Sequence, residues 1–330
     1  MDIIKKVTHY ITNTDLYLVI LALLCSAYGM VLIYSATLNP ATALDGSTRN
    51  LFIQGAAILM GLIAFVIMSL IDLETMSGWW KIFVLINIGL QMLLFTPLGV
   101  EVNGQRAWLD LGPTNLQPGE LGKLIFIFTL AAHISEIKEH INEWRGLLVI
   151  ALHTLIMMGA VVIASGDTGM AIQYFMIALI MLFTAGLSLK WLGVGCGLAV
   201  VSIPILWNFI LDDYQKTRIL VLFDPSIDPE TSRQATYGKI AIGSGQMDGQ
   251  GLTHGTMTQM QLVPENHTDY IFSVAGEELG FIGCMLIIGL LVLLIARIFY
   301  VSYRASTTFS SLLAVGVGGM FMFQVFMNIF

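Results

Sequence analysis

The chain has 330 residues, of which 56% are hydrophobic and 11% charged, with a formal net charge of −7 and a mean hydropathy of +0.81. A soluble domain carries about 25% charged residues, so this composition excludes ordinary soluble domains and marks an integral membrane protein. The acidic balance argues against nucleic acid as a partner.

A spanning helix needs roughly 20 apolar residues. Runs of that kind fall at 16–38, 50–71, 79–98, 119–135, 146–165, 168–187, 189–211, 270–299 and 307–328. The first is too long for a signal-peptide core and lacks a cleavage site, so it reads as a retained anchor. The eighth contains Glu277 and Glu278, and its spanning part is expected to start near Leu279, after a short interfacial helix. Cys25, Cys196 and Cys284 all lie inside apolar runs without metal-ligand spacing and read as small core residues. The expected fold class is an all-α polytopic membrane protein. One helical bundle forms a single domain over 1–330, with a large polar loop at 212–268 between the seventh and eighth helices.

Lysine and arginine in the short loops set the orientation. Lys5, Lys6, Lys81, Lys138, Arg145, Lys190, Arg297 and Arg304 fall on one side, and only Arg49 and Arg106 in the short loops of the other. This places the N-terminus in the cytoplasm and the 212–268 loop outside. Arg106, Glu120, Lys123, Asp167, Arg218, Glu265 and Asp269 then share the outer face. An ionisable group deep in a bilayer costs roughly 2.5–3.5 kcal/mol on insertion scales, so such groups are normally paired or functional. Their gathering on one side suggests an outward-facing polar site rather than a midplane transport site.

In chain order, the first candidate is Asn103-Gly104-Gln105-Arg106-Ala107-Trp108-Leu109, followed by Gln117-Pro118-Gly119-Glu120-Leu121-Gly122-Lys123. Pro118 fits the first turn of a helix, and Glu120 and Lys123 share a face. A helix-start acid with a snorkelling lysine explains this spacing. So does an anion-binding corner in which Arg106 and Lys123 face a diphosphate and Glu120 orients one of them. Ser165-Gly166-Asp167-Thr168-Gly169 reads as a tight turn with an N-cap, or as a carboxylate at a cavity mouth. In the long loop, 213–219 is amphipathic and suits the membrane surface. The four glycines of 241–251 read as flexible turns or as backbone approaching a sugar or phosphate. No Gly-Lys-Ser/Thr follows them, which excludes a nucleotide loop. Val263 to Asp269 closes the loop. Asp269 stands where an N-cap would stand, and it also suits a general base. His267 has no second ligand at metal spacing. The sequon at Asn266-His267-Thr268 reads as coincidence.

Together Ile33-Tyr34-Ser35-Ala36, Asn103 to Leu109, Gln117 to Lys123, Asp167-Thr168-Gly169, Tyr214-Gln215 with Arg218, Ala241 to Gly245, and Pro264 to Gly283 resemble the SEDS family. Its members are RodA/FtsW/SpoVE-type bacterial peptidoglycan polymerases. The resemblance runs from about Asp15 to Asn328. It implies a SEDS-type bundle of ten transmembrane helices, nine of them in this chain. It implies inverting glycosyl transfer from lipid II, with Asp269 as general base, in cell-wall synthesis and cell-shape control. Arg106, Glu120 and Lys123 match its motif positions, and Arg218, Asp167, Glu265 and His267 complete the expected substrate- and diphosphate-binding set. No cofactor is implied, and metal dependence is not legible. The expected partners are lipid II, membrane lipids and a class B penicillin-binding protein transpeptidase. The expected location is the bacterial plasma membrane, multi-pass, with the active site facing outside.

Three departures stand out. Gly119 replaces the usual serine of the Gln-Pro-Ser-Glu motif, and Gly166-Asp167-Thr168-Gly169 replaces a Pro-Asp-Leu-Gly-Thr pattern. A Gly- and Pro-rich segment and a tenth helix are expected after Asn328-Ile329, so the chain reads as C-terminally incomplete. Two alternatives are a lipid II flippase, or a catalytically inactive scaffold of the cell-wall complex. A flippase needs ionisable groups along the whole crossing path, and the inner half carries almost none.

Overall fold

The structure is a computed structural model that describes residues 14–38, 45–102, 105–112, 115–205, 207–208, 216–217, 220–221, 224 and 226–329. Each of the nine apolar runs contains a helix over its described residues. Among the described residues, five helices are long and apolar enough to cross a membrane, and two shorter apolar helices join them. Their exposed Leu, Ile, Val and Phe side chains suit a lipid solvent. The protein is therefore a polytopic helical membrane protein. It divides into two compact units, 1–70 with 197–294 and 328–330, and 71–196 with 295–327.

In the first unit, α1 (Leu16–Thr37) begins where the Asp15 carboxylate accepts from the Leu18 amide at 3.1 Å. It packs against α2 (Asp45–Ser69). Leu32 and Ala36 of α1 form a core with Val274, Ala275 and Cys284. Those three belong to a later helix, Ile271–Arg304, whose phenolic neighbour Tyr28 donates to Gly283 O at 2.9 Å.

That later helix is broken at Gly280, whose φ of 64° and ψ of −162° suit only glycine. The expected short segment before Leu279 is thus present, with the break one residue further on. The break frees backbone groups, and the polar loop satisfies them. The carbonyls of Glu277 and Glu278 accept from the Gln250 and Gly251 amides at 2.9 and 3.0 Å. The Phe281 and Ile282 amides donate to Gln246 and Met247 carbonyls at 2.8 and 3.3 Å. A side chain at Gly245 or Gly249 would strike the carbonyls of Gly276 or Glu278. Gly245 lies in a turn and Gly249 and Gly251 take φ of +81° and +97°, so the turn reading fits these three, and Gly245 and Gly249 also lie against helix backbone. Ala241–Ser244 close a helix, Pro229–Ser244, and the glycines after it let loop backbone lie on helix backbone. The amphipathic reading of 213–219 falls largely outside the described residues.

The second unit holds two short helices, Leu73–Ser77 (α3) and Trp80–Met92 (α4). A three-stranded antiparallel sheet follows, of β1 (Gly99–Val102), β2 (Gln105–Asp110) and β3 (Asn115–Leu116). The first pair registers Gly99 with Leu109 and the second Leu109 with Leu116. A loop was expected here in an all-α chain. The alternation of Arg106 and Trp108 with buried Ala107 and Leu109 is short, and it escaped notice beside the long apolar runs. Next come α5 (Pro118–Glu136), α6 (Trp144–Ser165), α7 (Thr168–Thr184) and α8 (Leu189–Ile205), which continues into the first unit. The loop helices Pro229–Ser244 and Thr256–Gln259 are α9 and α10, the broken helix is α11, and Thr308–Ile329 is α12. Phe126, Leu130, Tyr174, Ile177, Met181 and Leu312 centre the core of this unit. Between helices in lipid, close packing of small residues replaces the hydrophobic effect as the driving force. A side chain at Gly316 would meet Ile127 and Met181.

Candidate active site

The eight candidate residues divide between the two units. Glu265, His267 and Asp269 lie in the first, in the turn that leads into α11. Arg218 belongs to the same stretch of chain but lies outside the described residues. Arg106, Glu120, Lys123 and Asp167 lie in the second.

The turn before α11 folds back on Glu265, whose carbonyl accepts from the Thr268 and Tyr270 amides at 3.2 Å each. Glu265 has φ of +52°, unusual for a residue with a side chain. Asn266 is buried, donating to Thr258 O at 3.5 Å, so the sequon asparagine points inward. The expectation that Asp269 caps a helix is not met. Helix α11 starts at Ile271, whose amide donates to Thr268 O. The Asp269 carboxylate accepts no hydrogen bond among the described residues, and its backbone carbonyl accepts from Asn328 Nδ2 at 3.2 Å. Its side chain reaches the surface, yet the surrounding chain strips part of its hydration. Burial first, then the Glu265 charge, pushes its carboxyl above the usual carboxylate range, while His267 pulls the other way.

Two buried carboxylates hold the loop that ends in this turn. Glu277 accepts from the Met257 and Thr258 amides at 2.7 and 2.9 Å and from the Thr258 hydroxyl at 2.7 Å. Glu278 accepts from the Ser35 hydroxyl, from the Thr253 amide at 3.1 Å and from Gln259 Nε2 at 3.3 Å. Both are fully buried. Among the described residues neither meets a cation within salt-bridge distance, so hydrogen-bond donors alone compensate for lost water.

In the second unit, Glu120 and Lys123 form the pair their spacing predicts, at 2.8 Å. Lys123 is fully buried, Glu120 is 47% exposed, and Lys123 also donates to Gln173 Oε1 at 2.6 Å. The ammonium is therefore held on two sides rather than left open. The first turn of α5 that carries this pair is anchored by three side chains. Gln91 Nε2 donates to Pro118 O at 3.1 Å, Tyr174 to Gly119 O at 3.1 Å, and Asn87 Nδ2 to Gly122 O at 3.0 Å. Asp167 caps α7, accepting from the Met170 amide at 2.8 Å. The capping reading of that motif holds, with Gly166 in the left-handed region at φ +70°. Arg106 is exposed on β2, and its Nη2 donates to Thr96 O at 3.0 Å. Gln173, Tyr174, Asn87 and Gln91 were missed in the sequence. Each is a polar residue inside an apolar run, which is itself a signal in membrane helices.

The long apolar helices define a polytopic helical membrane protein, and the turn before α11 presents a carboxylate that caps no helix. A family model described as cell cycle protein, FtsW/RodA/SpoVE, matches residues 15–330. The chain is 35% identical over 324 residues to the peptidoglycan glycosyltransferase MrdB of Escherichia coli (strain K12), covering 96% of this chain and 83% of that one. It is 33% identical over 331 residues to a probable peptidoglycan glycosyltransferase FtsW of Nitrosomonas europaea, covering 95% and 82%. Among solved structures it is similar to a chain of a peptidoglycan synthase complex that coordinates polymerization and crosslinking. There the TM-score is 0.77 at 27% identity, with 96% and 86% covered. It is also similar to the rod shape determining protein RodA of Thermus thermophilus, with TM-score 0.66 at 26% identity and 96% and 84% covered. The chain belongs to the FtsW/RodA/SpoVE family.

Proposed function

We propose that the chain is a peptidoglycan glycosyltransferase that polymerises glycan strands from lipid II, with Asp269 as general base. The observation that carries this reading is the Asp269 carboxylate itself. It caps no helix, accepts no hydrogen bond among the described residues and has a raised pKa, so its basicity is available to a substrate. In the reaction, Asp269 accepts the proton of the acceptor sugar 4-hydroxyl. The oxygen attacks the anomeric carbon of the donor, the bond to the diphosphate breaks, and the centre inverts, as in inverting glycosidases with a sugar hydroxyl in place of water. A positioned base contributes typically 10²–10⁴-fold, and the remainder comes from alignment and from neutralising the leaving diphosphate.

Arg106 is the first candidate for that neutralisation, since its guanidinium is exposed and only partly engaged. Lys123 is already matched by Glu120, so its part is to hold the α5 corner in shape and lend a fixed positive charge. Asp167 holds the start of α7 beside it, and Glu265 and His267 tune Asp269. Arg218 remains a candidate from the sequence alone. The proposed setting is the bacterial plasma membrane with the N-terminus in the cytoplasm and the Asp269 turn outside, as the loop charges favour. A class B penicillin-binding protein is the proposed partner for cross-linking.

The test is reconstitution of the purified chain in vesicles with labelled lipid II. Glycan polymer with a newly inverted linkage is expected. Lipid II translocation without polymer would replace this reading with the flippase, and neither product would favour a scaffold.

A further inference from the structure

A half-open cleft of about 400 Å³ lies within the second unit, lined by Ser77, Gly78, Trp80, Lys81, Ala132, Ser135 and Glu136. It sits where α4 begins and α5 ends. Its two charges are opposite and unpaired. No carboxylate among the described residues lies within salt-bridge distance of Lys81, and Lys81 Nζ stands 5.5 Å from the Trp80 ring centroid. Glu136 accepts from Trp80 Nε1 at 2.9 Å through Oε2, which leaves Oε1 open. Ser135 makes no hydrogen bond among the described residues, and Ser77 donates to Glu74 O at 2.6 Å with its lone pairs free.

Both charges also oppose their own helices. A lysine in the first turn of α4 meets the positive end of that helix, and a carboxylate in the last turn of α5 meets a negative end. Trp79, at the N-cap of α4, supplies no side-chain acceptor. Such local conflicts persist where something else resolves them. An anion at the α4 start would satisfy Lys81 and the helix end together. A cation at the α5 end would do the same for Glu136. We propose that this cleft binds a zwitterionic phosphoethanolamine headgroup of a membrane lipid, phosphate toward Lys81 and ammonium toward Glu136. Volumes from 300 Å³ upward are typical of small-molecule sites. Trp80 lines the cleft half-buried and its chain neighbour Trp79 is 67% exposed, and tryptophans are enriched in the interfacial belt of membrane proteins. A primary ammonium brings positive charge as well as N–H donors to Glu136 Oε1 and Ser135, whereas the hydroxyls of a glycerol headgroup can donate but carry no charge to match the carboxylate.

The experiment is native mass spectrometry of the detergent-purified chain with equimolar phosphatidylethanolamine and phosphatidylglycerol of matched acyl chains. The wild type is expected to retain the ethanolamine lipid several-fold over the glycerol lipid. Glu136→Gln, which can keep the Trp80 bond, should abolish that preference, and Lys81→Gln should weaken retention of both lipids. Unchanged thermal unfolding of the lipid-free variants excludes misfolding as the cause, and if either variant melts early, Ser135→Ala serves in its place with a reduced preference expected. Absence of a preference in the wild type would overturn the proposal. So would its survival in Glu136→Gln. Binding of soluble phosphoethanolamine without a lipid preference would assign the cleft to a solute instead, and would also overturn it.

Discussion

Asp269 and its neighbours make the residue-scale account testable through pH. With the carboxyl pKa raised by burial and by Glu265, the base form is lost at a higher pH than for an ordinary carboxylate. The acidic limb of the polymerisation rate should therefore lie above the usual carboxylate range. Glu265→Gln removes a like charge and should move that limb to lower pH. His267→Gln removes the opposing influence and should move it higher. A pH–rate profile of the three proteins checks both directions. The Glu120–Lys123 pair makes a second prediction. Glu120→Ala leaves a buried ammonium with only Gln173, and breaking a buried pair costs about 3–5 kcal/mol. Because Glu120 is 47% exposed, about 1–3 kcal/mol is the expected loss, read as a fall in the thermal unfolding midpoint. Lys123→Met should cost less stability and still lower the turnover.

At the scale of elements, the helices were legible because their apolar runs are long and their boundaries carry Asp15, Pro118 and Asp167. The Glu120–Lys123 contact was legible because a helix forces i,i+3 neighbours together. The β1–β3 sheet was not, since two- to six-residue strands leave little periodicity. Nor was the pairing of loop backbone with the break in α11, which joins residues about 30 positions apart through main-chain groups that every sequence possesses. The Asp269 position was ambiguous between cap and base because α11 starts one residue later than a cap there requires, an offset too small to read from the sequence. The broken helix predicts a third outcome. Gly280→Ala forces a side chain into φ +64°, ψ −162°, at a cost of about 1–3 kcal/mol. Glu277→Gln should loosen the loop as well, because an amide nitrogen would face amide donors at Met257 and Thr258. Faster limited proteolysis between Gly245 and Leu262 would register both changes.

For the molecule as a whole, a multi-pass helical chain with a proposed reaction at one bilayer surface must have a defined orientation. The charge asymmetry of the short loops predicts that single cysteines at 138 and 304 are labelled only from the cytoplasmic side by a membrane-impermeant thiol reagent, and cysteines at 101 and 265 only from outside. Inverse labelling would place the Asp269 turn on the wrong side for an outward-facing polymerase. The most direct test of the central claim is polymerisation of lipid II by the purified Asp269→Asn protein beside the wild type, with unfolding temperature and lipid II binding measured on the same samples. Asparagine keeps the shape and removes the base, and it also removes a charge that the folded chain disfavours. If Asp269 is the general base, no detectable polymer, unimpaired lipid II binding and an unfolding temperature equal to or above the wild type are expected. Polymer formed at a rate near that of the wild type would contradict that role.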